Sequence, residues 1–127
     1  MVGEAKSKEE ETRLILRELI DGDAIIGAAV LDARGTPLTW VLPPTLDLKA
    51  VKTSSALIEI LLRVKDMEDS RLGRFIYCVV RFRNVKTTAM DIDGKGYLLL
   101  FVSPIWHVEL LLPKVRQALN KLRALLL

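Results

Sequence analysis

Residues 47–67 read DLKAVKTSSALIEILLRVKDM, directly after a Pro43-Pro44 stop. The apolar pattern of this stretch decides how the rest of the chain must be arranged. At 3.6 residues per turn, Leu57, Leu61 and Val64 share one side of a helix with Ala50. Val51, Ile58 and Leu62 extend the apolar surface in one direction around the cylinder, and Ala56, Ile60 and Met67 extend it in the other. Only the side holding Leu48, Lys52, Glu59, Arg63 and Asp66 is largely polar. A surface helix needs one apolar stripe facing one core. A helix that is apolar over well over half its circumference is expected to bury against two surfaces. In a chain of 127 residues, the second surface is expected on another subunit.

Upstream, residues 1–7 are expected as a flexible tail ahead of a single domain spanning 8–127. A helix is expected from Ser7 to about Asp21. Ser7 and Glu10 have the spacing of a capping box, Glu9, Glu10 and Glu11 suit the first turn, and Gly22 stops the helix. Its apolar side is assigned to Leu14, Ile15 and Leu19, with Leu16 and Ile20 beside them. Residues 25–32, IIGAAVLD, read as a strand apolar on both faces, hence interior and covered on both sides. Asp32-Ala33-Arg34-Gly35 places Asp first and Gly last in a tight turn, and Leu38 to Leu42 returns as the hairpin's second strand. Asp47 caps the long helix and offsets Lys49 and Lys52 at its positive end.

Downstream, Glu68 to Gly73 is a polar connector. Phe75 to Val80, FIYCVV, is a strand followed by Arg81-Phe82-Arg83, and Val85 to Ile92 is a more polar strand. Asp93-Gly94 or Gly94-Lys95-Gly96 makes the next turn, and Tyr97 to Val102, YLLLFV, is a second fully apolar strand closed by Pro104. The final helix carries leucines at three–four spacing through Leu127, and Pro113 places its start near residues 110–112. The order is helix, two strands, helix, three strands, helix. Short connections favour antiparallel pairing in one five-stranded sheet with helices on both faces.

Composition narrows the classes. Half the residues are hydrophobic and 28% are charged, with a mean hydropathy of +0.27. That is too apolar for disorder and rather apolar for a small soluble monomer. No apolar run approaches a membrane span, and MVGEAKSKEEE has no apolar core of a secretory leader, so a cytoplasmic location is expected. The single cysteine, Cys78, forms no internal disulfide and no metal cluster, and reads as a small buried hydrophobe. A net charge of +3 matters for an anionic partner only if the cations cluster. The candidate anion-facing residues are Arg81, Arg83, Lys86, Arg116 and Arg123.

Several segments together resemble the Roadblock/LC7 family over about residues 8–126. They are the hairpin GAAVLDARGTPLTW, the long middle helix, the FIYCVV strand, the hairpin VKTTAMDIDGKGYLLLFV and the last amphipathic helix. Gly27 matches the small residue of the family's first strand, Asp32 and Gly35 its first turn, and Gly96 its late hairpin. The resemblance implies a profilin-like α-β-β-α-β-β-β-α fold with strand order 2-1-5-4-3. It also implies homo- or heterodimers in which middle helices pack together and third strands pair. Members of the family act as scaffolds or regulators of small Ras-like GTPases and as dynein light chains.

That implied order makes FIYCVV an edge, and a long apolar edge is a hazard unless covered or paired. The expectation is therefore a homodimer through Ala50, Ser54, Leu57, Ile58 and Leu61 of the helix and Ile76, Cys78 and Val80 of the strand. Either side of the helix satisfies its own sheet by pattern. No catalytic, cofactor or metal residues are expected. His107 lacks an orienting carboxylate and nucleophile at a telling spacing, Asp91 and Asp93 lack an EF-hand pattern, and Gly94-Lys95-Gly96 lacks the rest of a phosphate loop. The expected function is a non-enzymatic scaffold or regulator of a small GTPase or related assembly. The alternative is a basic module for nucleic acid or an anionic surface.

Overall fold

The computed structural model describes residues 2–126, with side chains from residue 8 onward. Helix α1 spans Val2–Leu19. It starts before Ser7, so Ser7 lies within helical backbone and the expected capping box does not mark an N-terminus. Residues 2–7, expected as a tail, continue the helix, since no breaker follows Gly3. Leu16 and Leu19 turn into the core while Leu14 is exposed, so the buried face is rotated from the one expected. After α1 the Asp21 carboxylate accepts from the backbone N–H groups of Asp23, Ala24 and Ile25 at 2.8–3.1 Å. Gly22, at φ +77°, makes the sharp turn possible.

The sheet has the order β2-β1-β5-β4-β3, with every pairing antiparallel. Strand β1 is Ile25–Asp32, β2 is Pro37–Val41 and β3 is Cys78–Arg81. Strand β4 is Lys86–Asp91 and β5 is Gly96–Val102. All seven residues of β5 are buried, as befits the central strand. The first turn forms as its residue types demand. The Asp32 side chain accepts from the N–H groups of Arg34 and Thr36, and Gly35 adopts φ +88°. In the late hairpin the Ile92 carbonyl accepts from Lys95 at 2.9 Å. Asp93 (φ 50°) and Gly94 (φ 74°) supply the positive-φ pair of a type I′ turn. A Cβ on Gly96 would run into the carbonyl oxygen of Leu31, so only glycine lets β5 approach β1 there.

Each sheet face carries its own core. On one face α1 and the last helix, α4 (Leu112–Leu125), pack on Ala28, Val30, Met90, Leu98 and Leu100. A 3-10 turn, Val108–Leu111, leads into α4, and Pro113 occupies its first turn as expected. On the other face the middle segment packs on Ala29, Leu31, Ala89, Leu99 and Phe101. That segment is two helices, α2 (Leu48–Ser54) and α3 (Leu57–Lys65), where a single long helix was expected. Ser55 and Ala56 keep right-handed helical angles. The joint tightens to i→i+3 bonds: Ala56 N–H donates to Thr53 O and Ile58 N–H to Ser55 O. The Ser55 hydroxyl donates to Lys52 O at 2.6 Å and so competes for a helical carbonyl. Asp47 caps α2 as expected, accepting from Ala50 N–H.

Val51, Leu57, Ile58 and Leu61 are the residues that α2 and α3 bury. Burying such a side chain fully contributes about 1.5–3 kcal/mol each. Leu57, Ile58 and Leu61, expected at a subunit interface, thus face their own sheet. Strand β3 also begins three residues later than expected. Residues 74–77 approach it without strand pairing, although β4 runs on to Met90 and Asp91.

Candidate interaction surface

The outer edge of β3 and the flanks of α2 and α3 form the candidate site. Strand β3 pairs with β4 on one side only, from Cys78 opposite Ala89 to Arg81 opposite Lys86. Its outer N–H and C=O groups have no neighbouring strand. Alternation along the strand aims Cys78 and Val80, both half-buried, at the α2/α3 layer and leaves Val79 and Arg81 on the opposite face. Just before it, Ile76 is 57% exposed. Lysine, proline or a bulge often blunts such an edge; here the last residue, Arg81, is the only charge on β3.

The helix flanks continue this apolar surface. Ile60 is 49% and Met67 61% exposed on one flank of the inward-facing trio, and Leu62 is exposed on the other. Met67 and Val64 meet Leu72 and Phe75 around a small hollow next to the approach to β3. Further along, Ala50 and Ser54 line a groove of about 340 Å³ with Phe82, Val85 and Leu46. Their small side chains leave room for another chain's residues between α2 and the β3–β4 turn. Ile60, Met67, Leu72 and Phe82 were not singled out for the interface by sequence. Their signal was present in the apolar circumference of residues 47–67 and in the exposed Arg81-Phe82-Arg83 tip.

The connector that sets this surface is tightly bonded. Asp69 accepts from the N–H groups of Arg71 and Leu72 at 2.8 and 2.9 Å, and the Arg71 guanidinium lies 2.8 Å from its other oxygen. The Leu72 N–H, then Arg71, hold the Asp69 carboxyl below the usual carboxylate range. Glu68 accepts from Phe75 N–H at 2.6 Å, fixing where the chain enters the edge. Beneath, Lys65 at the end of α3 pairs with Asp91 of β4 at 2.9 Å.

The candidate cations do not share one end of the molecule. Arg81, Arg83 and Lys86 lie at the β3–β4 turn. Arg123 is 2.8 Å from Asp93 in the β4–β5 turn, at the other end of β4 and about 17 Å away at the strand's ~3.3 Å rise. Arg116 is exposed on α4. Asp91 and Asp93 each hold their own cation and do not converge. His107 is exposed at the start of the 3-10 turn. Among the described residues no three His, Cys, Asp or Glu side chains group as a metal site, and no helix is long and apolar enough to cross a membrane.

No protein-family model matches the chain, and no curated protein sequence does. Solved structures do. An MglB described with a tetrameric arrangement aligns over 93% of this chain and 89% of its own, at 15% identity and a TM-score of 0.74. The gliding protein MglB of Thermus thermophilus aligns over 93% and 90%, at 11% identity and a TM-score of 0.71. A Roadblock/LC7 domain from Streptomyces avermitilis aligns over 88% and 94%, at 14% identity and a TM-score of 0.69. At such identities the likeness is one of fold.

Proposed function

We propose, on the premise that this chain carries the Roadblock/LC7 fold, that it is a non-enzymatic interaction module acting as a dimer. Two copies join through their β3 edges and the flanks of α2 and α3, burying Ile76, Ile60, Met67 and the Ala50–Ser54 groove. The observation that carries this reading is the unblunted apolar edge beside an unpartnered apolar helix flank. The composite sheet and helix surface then presents a platform to a small Ras-like GTPase or a related scaffold assembly. The tetrameric arrangement described for one structural relative is compatible with such self-association. The expected partner is a protein, in the cytoplasm.

Two measurements test it. Light scattering should give a solution mass twice the chain's 14.3 kDa. Affinity capture from native extract followed by mass spectrometry should recover a Ras-like GTPase. A monomer at micromolar concentration sinks the dimer, and recovery of nucleic acid alone sinks the partner class. Binding to nucleic acid or an anionic surface would need one contiguous basic stripe. Arg123, neutralised by Asp93 at the far end of β4, does not extend the Arg81–Lys86 group.

A further inference from the structure

The other face of the β3 edge carries a second feature, which the dimer reading leaves unused. Beside β3, on the α1/α4 side of the sheet, lies an open concavity of about 500 Å³. Tyr77, Val79 and Lys86 form its sheet wall, and His107, Glu109 and Leu110 its other wall. Its rim is apolar and wet: Leu110 is 68% exposed and Val79 37%.

Lys86 lines it, and Arg81 stands beside Lys86 just outside the lining. Arg81 and Lys86 are direct cross-strand partners, so their side chains leave the same face of the sheet side by side. Like charges directly opposite one another repel and destabilise a strand pair. Neither has a carboxylate within ion-pair distance among the described residues. The Lys86 ammonium donates to the Trp106 carbonyl at 2.7 Å, and Arg81 donates to the Phe82 and Arg83 carbonyls. An ammonium has three N–H bonds, so Lys86 keeps donors to spare. The one acid of the concavity, Glu109, is engaged by the Tyr77 hydroxyl at 3.2 Å.

We infer that this concavity docks an acidic, amphipathic segment of a partner protein. A carboxylate of the segment bridges Arg81 and Lys86 and relieves their repulsion. Apolar side chains of the segment fill the hollow against Val79 and Leu110. The concave shape favours a protein segment over a bilayer, which is flat and is met by protruding residues. The site lies on the face away from α2 and α3 and leaves the β3 backbone edge free for a second copy.

The test uses the full chain, labelled with nitrogen-15, and two synthetic peptides with the same helical leucine spacing. One carries glutamate at the intervening positions and the other carries lysine. The glutamate peptide should saturably shift the amide signals of Val79, Lys86 and Leu110, and the lysine peptide should not. Lys86→Met and Leu110→Asp should each weaken binding about tenfold, and added salt should weaken it further. Both variants should keep the wild-type solution mass, which separates this site from the dimer contact. Leu110→Asp alone carries the test if Lys86→Met fails to fold, since Leu110 is mostly exposed. Four outcomes overturn the inference: no shift at these residues, equal binding of the lysine peptide, binding only to phosphatidylserine vesicles, or shifts that follow the protein's own concentration.

Discussion

The two helical layers solve the same problem differently. On one side α1 and α4 bury Leu16, Leu19, Val115, Ala118 and Leu122 against the sheet and also cover one another. Their contact is laced by Lys121 with Glu18 and by Lys114 with Asp21. On the other side α2 and α3 bury Val51, Leu57, Ile58 and Leu61, with no second helix alongside them among the described residues. In the first layer each helix has the other as a neighbour as well as the sheet. The second leaves Ile60, Leu62 and Met67 in solvent, so the chain completes its fold there without completing its cover.

The sharpest way to break this contrast is to open a hole in each layer. Leu122→Ala and Leu61→Ala both remove fully buried side chains, and each should cost about 2–5 kcal/mol. The Leu122 variant should lie higher in that range, because its surroundings are held on every side and relax less. Urea denaturation measures this, and a larger loss at Leu61 would contradict this contrast. Next comes assembly. Ile60→Glu with Met67→Glu should halve the solution mass. Leu14→Glu, an equally exposed site on the first layer (55%), should leave it unchanged; loss of dimer in both would place the contact elsewhere.

The layers are also pinned by ion pairs with opposite pH responses. The hydrogen bond that Lys65 donates to Asp91 raises the Lys65 pKa above its ordinary 10.5, against an opposing effect of burial. Its contribution is therefore complete below 10.5 and is lost as pH rises through the raised folded value. Lys65→Met should cost about 1–3 kcal/mol at neutral pH, and the gap from wild type should shrink in alkali. A gap that stays constant to high pH would exclude the Lys65–Asp91 pair as its source. The smallest effect belongs to Asp21 at the first layer. Burial works to raise its pKa, but N–H bonds from Asp23, Ala24 and Ile25, with help from Lys114, leave it lowered below 3.8. Its contribution is present above 3.8 and fades as pH falls through the lowered folded value. Asp21→Asn should flatten the acid limb of the stability profile, and an unaltered limb would remove Asp21 from that account.

Much of the fold was legible because its signals are local. Asp32 with Gly35 and Asp93 with Gly94 specify turns by backbone chemistry, and the doubly apolar IIGAAVL and YLLLFV announce interior strands. Helix phase was harder. Leu14 and Leu16 look alike in sequence, and only packing against α4 and the sheet chooses Leu16. In the middle helix there are more apolar residues than one sheet face covers, and Ile60, Leu62 and Met67 stay in solvent. The pattern did not say that Leu57, Ile58 and Leu61 meet the sheet, because a cylinder apolar on most sides has no preferred rotation until a partner is placed. The Ser55 joint was equally hidden: a serine hydroxyl can bond a helical carbonyl or simply face water. At the candidate site, Cys78 and Val80 lie on the edge strand, whereas Ile76 lies in the unpaired approach before it. The unpaired stretch before Cys78 carries the same apolar pattern as the strand itself, so no local signal separates the two. The alignment of Arg81 with Lys86 follows from strand register and was likewise invisible.

The pairing of β1 with β5 has a consequence for synthesis. It joins residues 25–32 to residues 96–102, so the middle of the sheet stays open until residue 102 has been made. The β1–β2 hairpin can close early, but the other edge of β1 then waits for a strand about seventy residues downstream. At ~5–20 residues per second that wait lasts several seconds. During it, IIGAAVL is the segment a nascent-chain chaperone would meet, and slow translation between β2 and β5 would lengthen its exposure.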